Sequence, residues 1–185
     1  DNGSPDGCGR QLAGTDFGDP RVTVLPLPEN LGFGKGHNAV LDRLDSDVHF
    51  ILNPDILLTG NVLEPMADWL LATPDAVLAT PQLYFPDGRL QALPRRKPTP
   101  WLLLARQLAP RFGGIFQKAD DHYTMQDEDL TRPRRIEFCT GSFMAARTNV
   151  LKRIGGFDPD YFMYVEDADL TQRFLREGEV WLAPQ

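Results

Sequence analysis

Apolar residues along the chain alternate between short runs with strand character and longer runs with helical spacing. Residues 22–27, 48–52 and 76–80 are mostly aliphatic and predict strands. Residues 39–44 and 61–73 repeat their apolar positions every three to four residues, which predicts a helix after each of the first two strands. This alternation is typical of an α/β fold with a mostly parallel sheet flanked by helices.

The second half of the chain continues this pattern with one exception. The turn sequence Pro86-Asp87-Gly88 lies between two apolar runs and predicts a β-hairpin, so we expect a mixed sheet. Apolar runs and glycine stops predict the remaining elements: strands at 136–139 and 142–146, helices at 148–154 and 166–177, and the start of a strand at 180–183.

Residues 94–135 differ in composition from the rest of the chain and are interpreted as an insert. Five basic residues between positions 95 and 111 surround Trp101 and three leucines, and an acidic, turn-rich stretch follows at 120–129. The basic segment predicts an amphipathic helix that packs its apolar face on the domain. The alternative is peripheral contact with an anionic membrane or a lipid-linked pyrophosphate.

Both ends of the sequence have the character of a truncated domain. Residues 1–7 have the turn chemistry that normally follows a strand, and residues 180–183 begin a buried strand that would stop two residues later. The length of 185 residues suits one domain of ordinary size. We therefore expect a single domain with both ends cut.

Composition and charge narrow the classes of function. The chain is 42% hydrophobic and carries a net charge of -7, which argues against general attraction to nucleic acid. Cys8 and Cys139 are far apart, so neither a disulfide framework nor a zinc site is indicated. No apolar stretch approaches the roughly 20 residues that span a bilayer. We expect a cytoplasmic globular protein.

Asn53-Pro54-Asp55 directly follows the strand at 48–52, at the end of the strand where parallel α/β sheets bind ligands. A single carboxylate there suits Mg²⁺ or Mn²⁺ when phosphate oxygens supply further ligands. An ordinary turn is the alternative interpretation of this tripeptide.

A second candidate is the glycine-rich segment from Asn30 to Asn38, which follows a strand and opens a helix. Its glycines would let backbone amides approach a phosphate or a ribose. The alternatives are a plain strand-to-helix turn and a dinucleotide-binding fingerprint, although His37 stands where that fingerprint has its third glycine.

Glu166 and Asp167 begin the last predicted helix, where the helix dipole favours ionised carboxylates. An anionic carboxylate at this point would act as a general base toward a sugar hydroxyl. Acidic capping of the first helical turn is the alternative. The aromatic cluster at 157–164 that precedes them is more typical of packing than of binding.

Taken together, the motifs DNGSPDG, NLGFGKGHN, NPD, CTGSFMAAR and IGGFDPDYFMYVEDADLTQR resemble those of inverting family 2 glycosyltransferases, most closely the rhamnosyltransferase-like members. The resemblance covers nearly the whole chain. It implies a GT-A (nucleotide-diphospho-sugar transferase) fold in one domain. That domain would comprise a nucleotide-sugar-binding half at 1–93, the insert at 94–135, and an acceptor and catalytic half at 136–185.

The resemblance also implies roles for individual residues. Asp167 corresponds to the catalytic base and Glu166 supports it, while Asp55 holds the divalent metal, Mn²⁺ or Mg²⁺. The expected donor-binding residues are Asp1, Asn30, Gly32, Gly34, Asn38, Asn53 and Asp55. Thr140, Gly141 and Ser142 are expected to contact the acceptor.

The function implied is transfer of a sugar, with rhamnose the best candidate, from a dTDP- or UDP-linked donor with inversion. The acceptor would be a hydroxyl of a glycan or of a polyprenyl-linked sugar. Such an acceptor would place the enzyme at the inner face of the plasma membrane, with residues 95–111 in contact. A domain that binds nucleotide sugars without catalysis, or has a structural role, is the alternative.

Overall fold

The computed structural model describes residues 1–91, 125 and 129–183, and its elements alternate as an α/β fold. The helices are α1 (Cys8–Ala13), α2 (Phe33–Asn38), α3 (Leu63–Ala72), α4 (Thr148–Arg153) and α5 (Glu166–Phe174), with a 3₁₀ turn at Leu41–Arg43. The strands are β1 (Val48–Leu52), β2 (Ala76–Thr80), β3 (Leu83–Tyr84), β4 (Leu90–Gln91), β5 (Arg134–Arg135), β6 (Phe143–Arg147) and β7 (Glu179–Leu182).

The main sheet has the strand order β1-β6-β2-β7-β5, and β3 and β4 form a separate hairpin. The sheet is mixed, as predicted, but the expectation of mostly parallel pairing is wrong for the described residues, because only β2 and β7 pair in parallel. β6 enters between β1 and β2 and runs antiparallel to both. β1 and β2 therefore run in the same direction, but β6 lies between them.

Two apolar layers cover the sheet. On one face α3 packs Met66 and Leu70 against Phe143, Ala145 and Ala79. On the other face α4 and α5 pack Leu151, Leu170 and Phe174 against Leu78, Met144 and Val180. Alternate residues of β6 thus point into different layers, which requires an apolar residue at every position of the strand from Phe143 to Ala146.

The strands predicted from apolar runs at 48–52 and 76–80 are confirmed as β1 and β2. The strand predicted at 22–27 is wrong, because these residues form no strand. Val22 is half exposed, and its N–H donates to Asp19 O within a local turn. Further along the segment, the Asp1 amino group donates to Leu25 O and Leu27 N donates to Asp1 O. Pro26 and Pro28 lack the N–H that a longer ladder would need.

Residues 136–139 do not form the predicted strand either, and helix α5 supplies the reason. The Thr171 hydroxyl bonds to Cys139 N and Cys139 O, and Gln172 Nε2 donates to Glu137 O. These side chains occupy backbone groups that a sheet neighbour would otherwise bond. The insert proposed at 94–135 falls mostly outside the described residues, although its last two residues form β5.

Arg147, at the end of β6, ties the sheet to α3. Its guanidinium donates to Ala76 O at 2.7 Å, Leu70 O at 2.9 Å and Thr73 O at 3.1 Å. The last two carbonyls lie at the C-terminal end of α3, where a helix leaves acceptors without partners. One side chain therefore fixes the helix end against the strand that follows it.

We expect Arg147→Leu to lower the free energy of unfolding by about 3 kcal/mol, because it leaves three part-buried carbonyls without a charged donor. Urea unfolding of the two proteins measures the difference. Arg176→Leu, at an exposed arginine, is the matched control and should change stability by less than about 0.5 kcal/mol. Equal effects of the two substitutions would contradict this role for Arg147.

Candidate functional site

Asp1 lines a cavity of about 330 Å³, together with residues between Gly3 and Arg10 and with Pro26, Leu27 and Pro28. Its carboxylate accepts hydrogen bonds from the backbone and the hydroxyl of Ser4. Gly9 is buried directly against this carboxylate, and a Cβ at that position would overlap it. The turn chemistry of the first residues thus produces a fixed carboxylate at a pocket.

Asn2 joins this turn to the glycine-rich segment, a role that the sequence interpretation missed. Asn2 Nδ2 donates to Asn30 Oδ1 at 3.1 Å and to Gly32 O at 2.9 Å, and Asn2 Oδ1 accepts from Leu31 N at 3.0 Å. Asn30 Oδ1 also accepts from Gly32 N. The available signal is the Asp-Asn-Gly-Ser turn itself, in which the sequence interpretation gives a role to Asp1 and none to Asn2.

The predicted donor-binding glycines pack closely against the segment that leads to Asp167. Gly32 has φ +85°, and a Cβ there would overlap the Phe162 carbonyl oxygen, which accepts a bond from Phe33 N at 3.2 Å. A Cβ at Gly34 would lie 2.8 Å from Phe157 Cβ. Glycine is therefore required at both positions for packing. Their contact with a donor stays a prediction.

Asn38, also predicted to bind the donor, uses both ends of its side chain within the protein. Its Nδ2 donates to Phe157 O at 2.7 Å, and its Oδ1 accepts from Phe157 N at 2.8 Å. This bidentate bond holds the turn after α4 against the C-terminal end of α2. The contact seen is structural, and a direct bond from Asn38 to a donor stays untested.

Asp167 is held by the N-terminus of α5 and by the loop before β6. Its Oδ1 accepts from Ala168 N at 2.8 Å and its Oδ2 from Gly141 N at 3.2 Å. The Thr171 hydroxyl donates to Asp167 O and also bonds to Cys139. Asp167 and Gly141, predicted to serve one site, are in contact.

The loop 140–142 also reaches the end of β1. Asn53 N donates to Ser142 O at 3.0 Å, and the hydroxyls of Thr140 and Ser142 lie 3.3 Å apart. Since β6 begins where the antiparallel β1 ends, the loop lies between Asn53-Pro54-Asp55 on one side and Asp167 on the other. The topology thus brings three of the predicted motifs to the same end of the sheet.

Asp55 is exposed, directly after the Asn53 backbone that the loop holds. Within residues 1–91, 125 and 129–183 no group of three or more His, Cys, Asp or Glu side chains is placed to hold a metal ion. A single exposed carboxylate fits Mg²⁺ or Mn²⁺ when a bound diphosphate and water supply the other ligands. It does not fit an ion held by the protein alone.

The rings of Phe33, His37 and Phe157 form a cluster that packs against Gly141. Phe33 contacts His37 with ring centroids 4.6 Å apart and Phe157 at 5.5 Å, and a Cβ at Gly141 would lie 3.1 Å from Phe33 Cε1. Burial lowers the pKa of His37 to about 4, and the charge of His49 adds to this effect. His37 is therefore neutral at pH 7 and serves packing. It lies in the last turn of α2 and not at a helix start.

A comparison with protein-family models matches residues 1–155 to glycosyl transferase family 2. The chain belongs to this family. Members of the family generally depend on a divalent metal and have the GT-A fold, which agrees with the mixed α/β sheet seen here.

Curated relatives point to one branch of family 2. The N-acetylglucosaminyl-diphospho-decaprenol L-rhamnosyltransferase of Mycobacterium tuberculosis is 29% identical over 196 aligned residues, covering 99% of this chain and 61% of the relative. Rhamnosyltransferase WbbL of Escherichia coli K12 is 46% identical over 43 residues, covering 23% of this chain and 16% of the relative. The chain thus spans about three-fifths of the length of the mycobacterial relative.

We expect Gly32→Ala to destabilise the protein by at least about 2 kcal/mol more than Gly88→Ala. Gly88 has nearly the same φ, +82°, but open space around it, so that control isolates the cost of the left-handed backbone from the overlap with Phe162 O. Urea unfolding measures both. Equal losses would show that the contact between Gly32 and Phe162 is not rigid.

Because the folded pKa of His37 lies below its unfolded value, the unfolded chain binds more protons as the pH falls through 6.5, and stability is lost between pH 6.5 and 4. Proton uptake by His37 in the unfolded chain should lower the free energy of unfolding by about 1 kcal/mol between pH 7 and pH 5.5. His37→Phe keeps a ring in the cluster and should remove this part of the pH dependence in urea unfolding. An unchanged pH dependence in that variant would refute the assignment.

Proposed function

We propose that this domain transfers a sugar from a nucleoside diphosphate to an acceptor hydroxyl, with inversion at the anomeric carbon. The main support is the contact chain from Asp167 through Gly141 and Ser142 to Asn53. It brings a fixed carboxylate and the Asn53-Pro54-Asp55 loop to one end of the sheet, where a sugar diphosphate would fit between a base and a metal. Membership of glycosyl transferase family 2 agrees with this chemistry.

In the proposed reaction, Asp167 accepts the proton of the acceptor hydroxyl as that oxygen attacks the anomeric carbon. The bond from the anomeric carbon to the diphosphate oxygen breaks on the opposite face, and the nucleoside diphosphate leaves. Gly141 N and Ala168 N hold the carboxylate in place before the attack. A Mg²⁺ or Mn²⁺ ion held by Asp55 would neutralise charge on the leaving diphosphate.

The proposed donor is a pyrimidine nucleotide sugar. A carboxylate such as Asp1, which lines a cavity, accepts a hydrogen bond from the imide N–H that uracil and thymine share. Both dTDP and UDP donors satisfy this contact. Rhamnose is the proposed sugar because both relatives are named as rhamnosyltransferases.

The proposed acceptor is a glycan or a polyprenyl-linked sugar, and the name of the mycobacterial relative supports the latter. Within the described ranges, no helix combines the length and the hydropathy needed to cross a bilayer. Contact with the inner face of the plasma membrane through residues 95–111 stays part of the proposal, since that segment lies outside the described residues. We also propose that the domain divides into a nucleotide-sugar-binding half at 1–93, an insert at 94–135, and an acceptor and catalytic half at 136–185.

Asp167→Asn in the full-length protein should lower the transfer rate by roughly 100-fold or more, because a positioned base contributes about that factor. Affinity for the donor with Mn²⁺ should survive, since the substitution keeps the shape of the side chain. Transfer is followed with labelled nucleotide sugar, and donor binding by calorimetry.

Asp68→Asn, at an exposed carboxylate on α3, is the control and should retain full transfer. Near-normal turnover of Asp167→Asn would refute the base assignment. Binding of dTDP or UDP by the wild-type protein without any transfer would favour the non-catalytic alternative.

A further inference from the structure

Four consecutive apolar residues lie exposed immediately before Glu166 and Asp167. The exposed fractions are 57% for Phe162, 54% for Met163, 77% for Tyr164 and 58% for Val165. Sequence interpretation assigned this stretch to packing, yet packing would bury it. An exposed apolar group of this kind next to a reacting carboxylate marks a surface for binding.

The backbone of this segment is held in an unfavourable conformation. Tyr164 has φ +69° and Val165 has φ +71°, the left-handed region that bulky and β-branched residues avoid. Contacts on both sides maintain it: Phe162 O accepts from Phe33 N, and Val165 O accepts from Asp169 N to begin α5. Strain that the surrounding structure imposes at such a place is typical of functional segments.

Charge around the segment indicates which partner it suits. Residues 158–169 contain five acidic side chains and no basic one. Asp169 pairs with Arg173 at 2.7 Å, and the group as a whole keeps a net negative charge. This charge disfavours anionic lipid head groups, so the apolar group suits a neutral partner. Next to it, Glu166 is 8% exposed and its Oε2 is buried without a hydrogen-bond partner, a polar group that a hydroxyl would satisfy.

We propose that residues 162–165 form the platform for the acceptor sugar, an inference that rests on the proposed function. The ring of Tyr164 would pack on the C–H face of a neutral sugar whose hydroxyl then reaches Asp167, three residues further along the chain. A sugar offers both an apolar face and hydroxyl groups, which matches an apolar surface beside two carboxylates. The acceptor would therefore be bound through its sugar ring, apart from any lipid or diphosphate attached to it.

The test compares Tyr164→Ala, Tyr164→Phe and wild type in the full-length protein. The donor is dTDP-rhamnose, and the acceptors are methyl glycosides of neutral hexoses and of N-acetylglucosamine, together with N-acetylglucosaminyl diphosphate on a short prenyl chain. Tyr164→Ala should raise the acceptor KM about tenfold with unchanged donor KM and unchanged hydrolysis of the donor by water. Tyr164→Phe, which keeps the ring, should stay within about twofold of wild type.

Tyr84→Ala is the matched control, because Tyr84 in the β3–β4 hairpin is 56% exposed, and its acceptor KM should match wild type. An acceptor KM unaffected by Tyr164→Ala overturns the platform while leaving the proposed function intact. Loss of binding to anionic vesicles in Tyr164→Ala at constant acceptor KM also overturns it, in favour of a lipid contact. Absence of both transfer and donor hydrolysis in wild type refutes the proposed function itself.

Val165→Gly tests whether the strained backbone matters. Glycine adopts φ +71° without penalty, so the temperature of unfolding should stay equal or rise while the acceptor KM increases several-fold. An unchanged acceptor KM in this variant would show that the conformation of the segment does not serve acceptor binding.

Discussion

The antiparallel insertion of β6 between β1 and β2 is the constraint on which the candidate site depends. Since β6 begins where β1 ends, Ser142 O meets Asn53 N, and the preceding Gly141 N meets the Asp167 carboxylate. A parallel neighbour of β1 would begin at the opposite end of the sheet and could not supply this loop. The sheet pairing therefore decides which motifs become neighbours.

Close contacts of glycine and asparagine then join the glycine-rich segment to the first turn and to the segment before Asp167. Gly32 lies against Phe162 O, Asn38 bonds both backbone groups of Phe157, and Asn2 connects the first turn to the glycine-rich segment. These contacts link positions 28 to 130 residues apart. The glycine-rich segment is therefore packed directly against the segment that precedes Asp167.

The same arrangement accounts for the strained residues before α5. Phe162 is fixed by Phe33, and α5 is fixed by the bonds of Thr171 to Cys139 and Asp167, so the residues between them must close a short gap. Tyr164 and Val165 close it with left-handed backbone and exposed side chains. Attachment on both sides holds an apolar surface beside Asp167 at a cost in local stability.

The spacing of apolar residues in the sequence determined the positions of β1 and β2 and the start of α5, whereas α5 ends at Phe174, three residues before the predicted end. Those features depend on the spacing of apolar residues and on helix or turn signals within a few positions. Tertiary structure alone decided that β6 separates β1 from β2, that residues 22–27 form no strand, and that Asn2 and Asn38 serve as connectors. Each of these outcomes depends on which distant backbone groups find a partner, as between Asn38 and Phe157, 119 residues apart, and no local pattern contains that information.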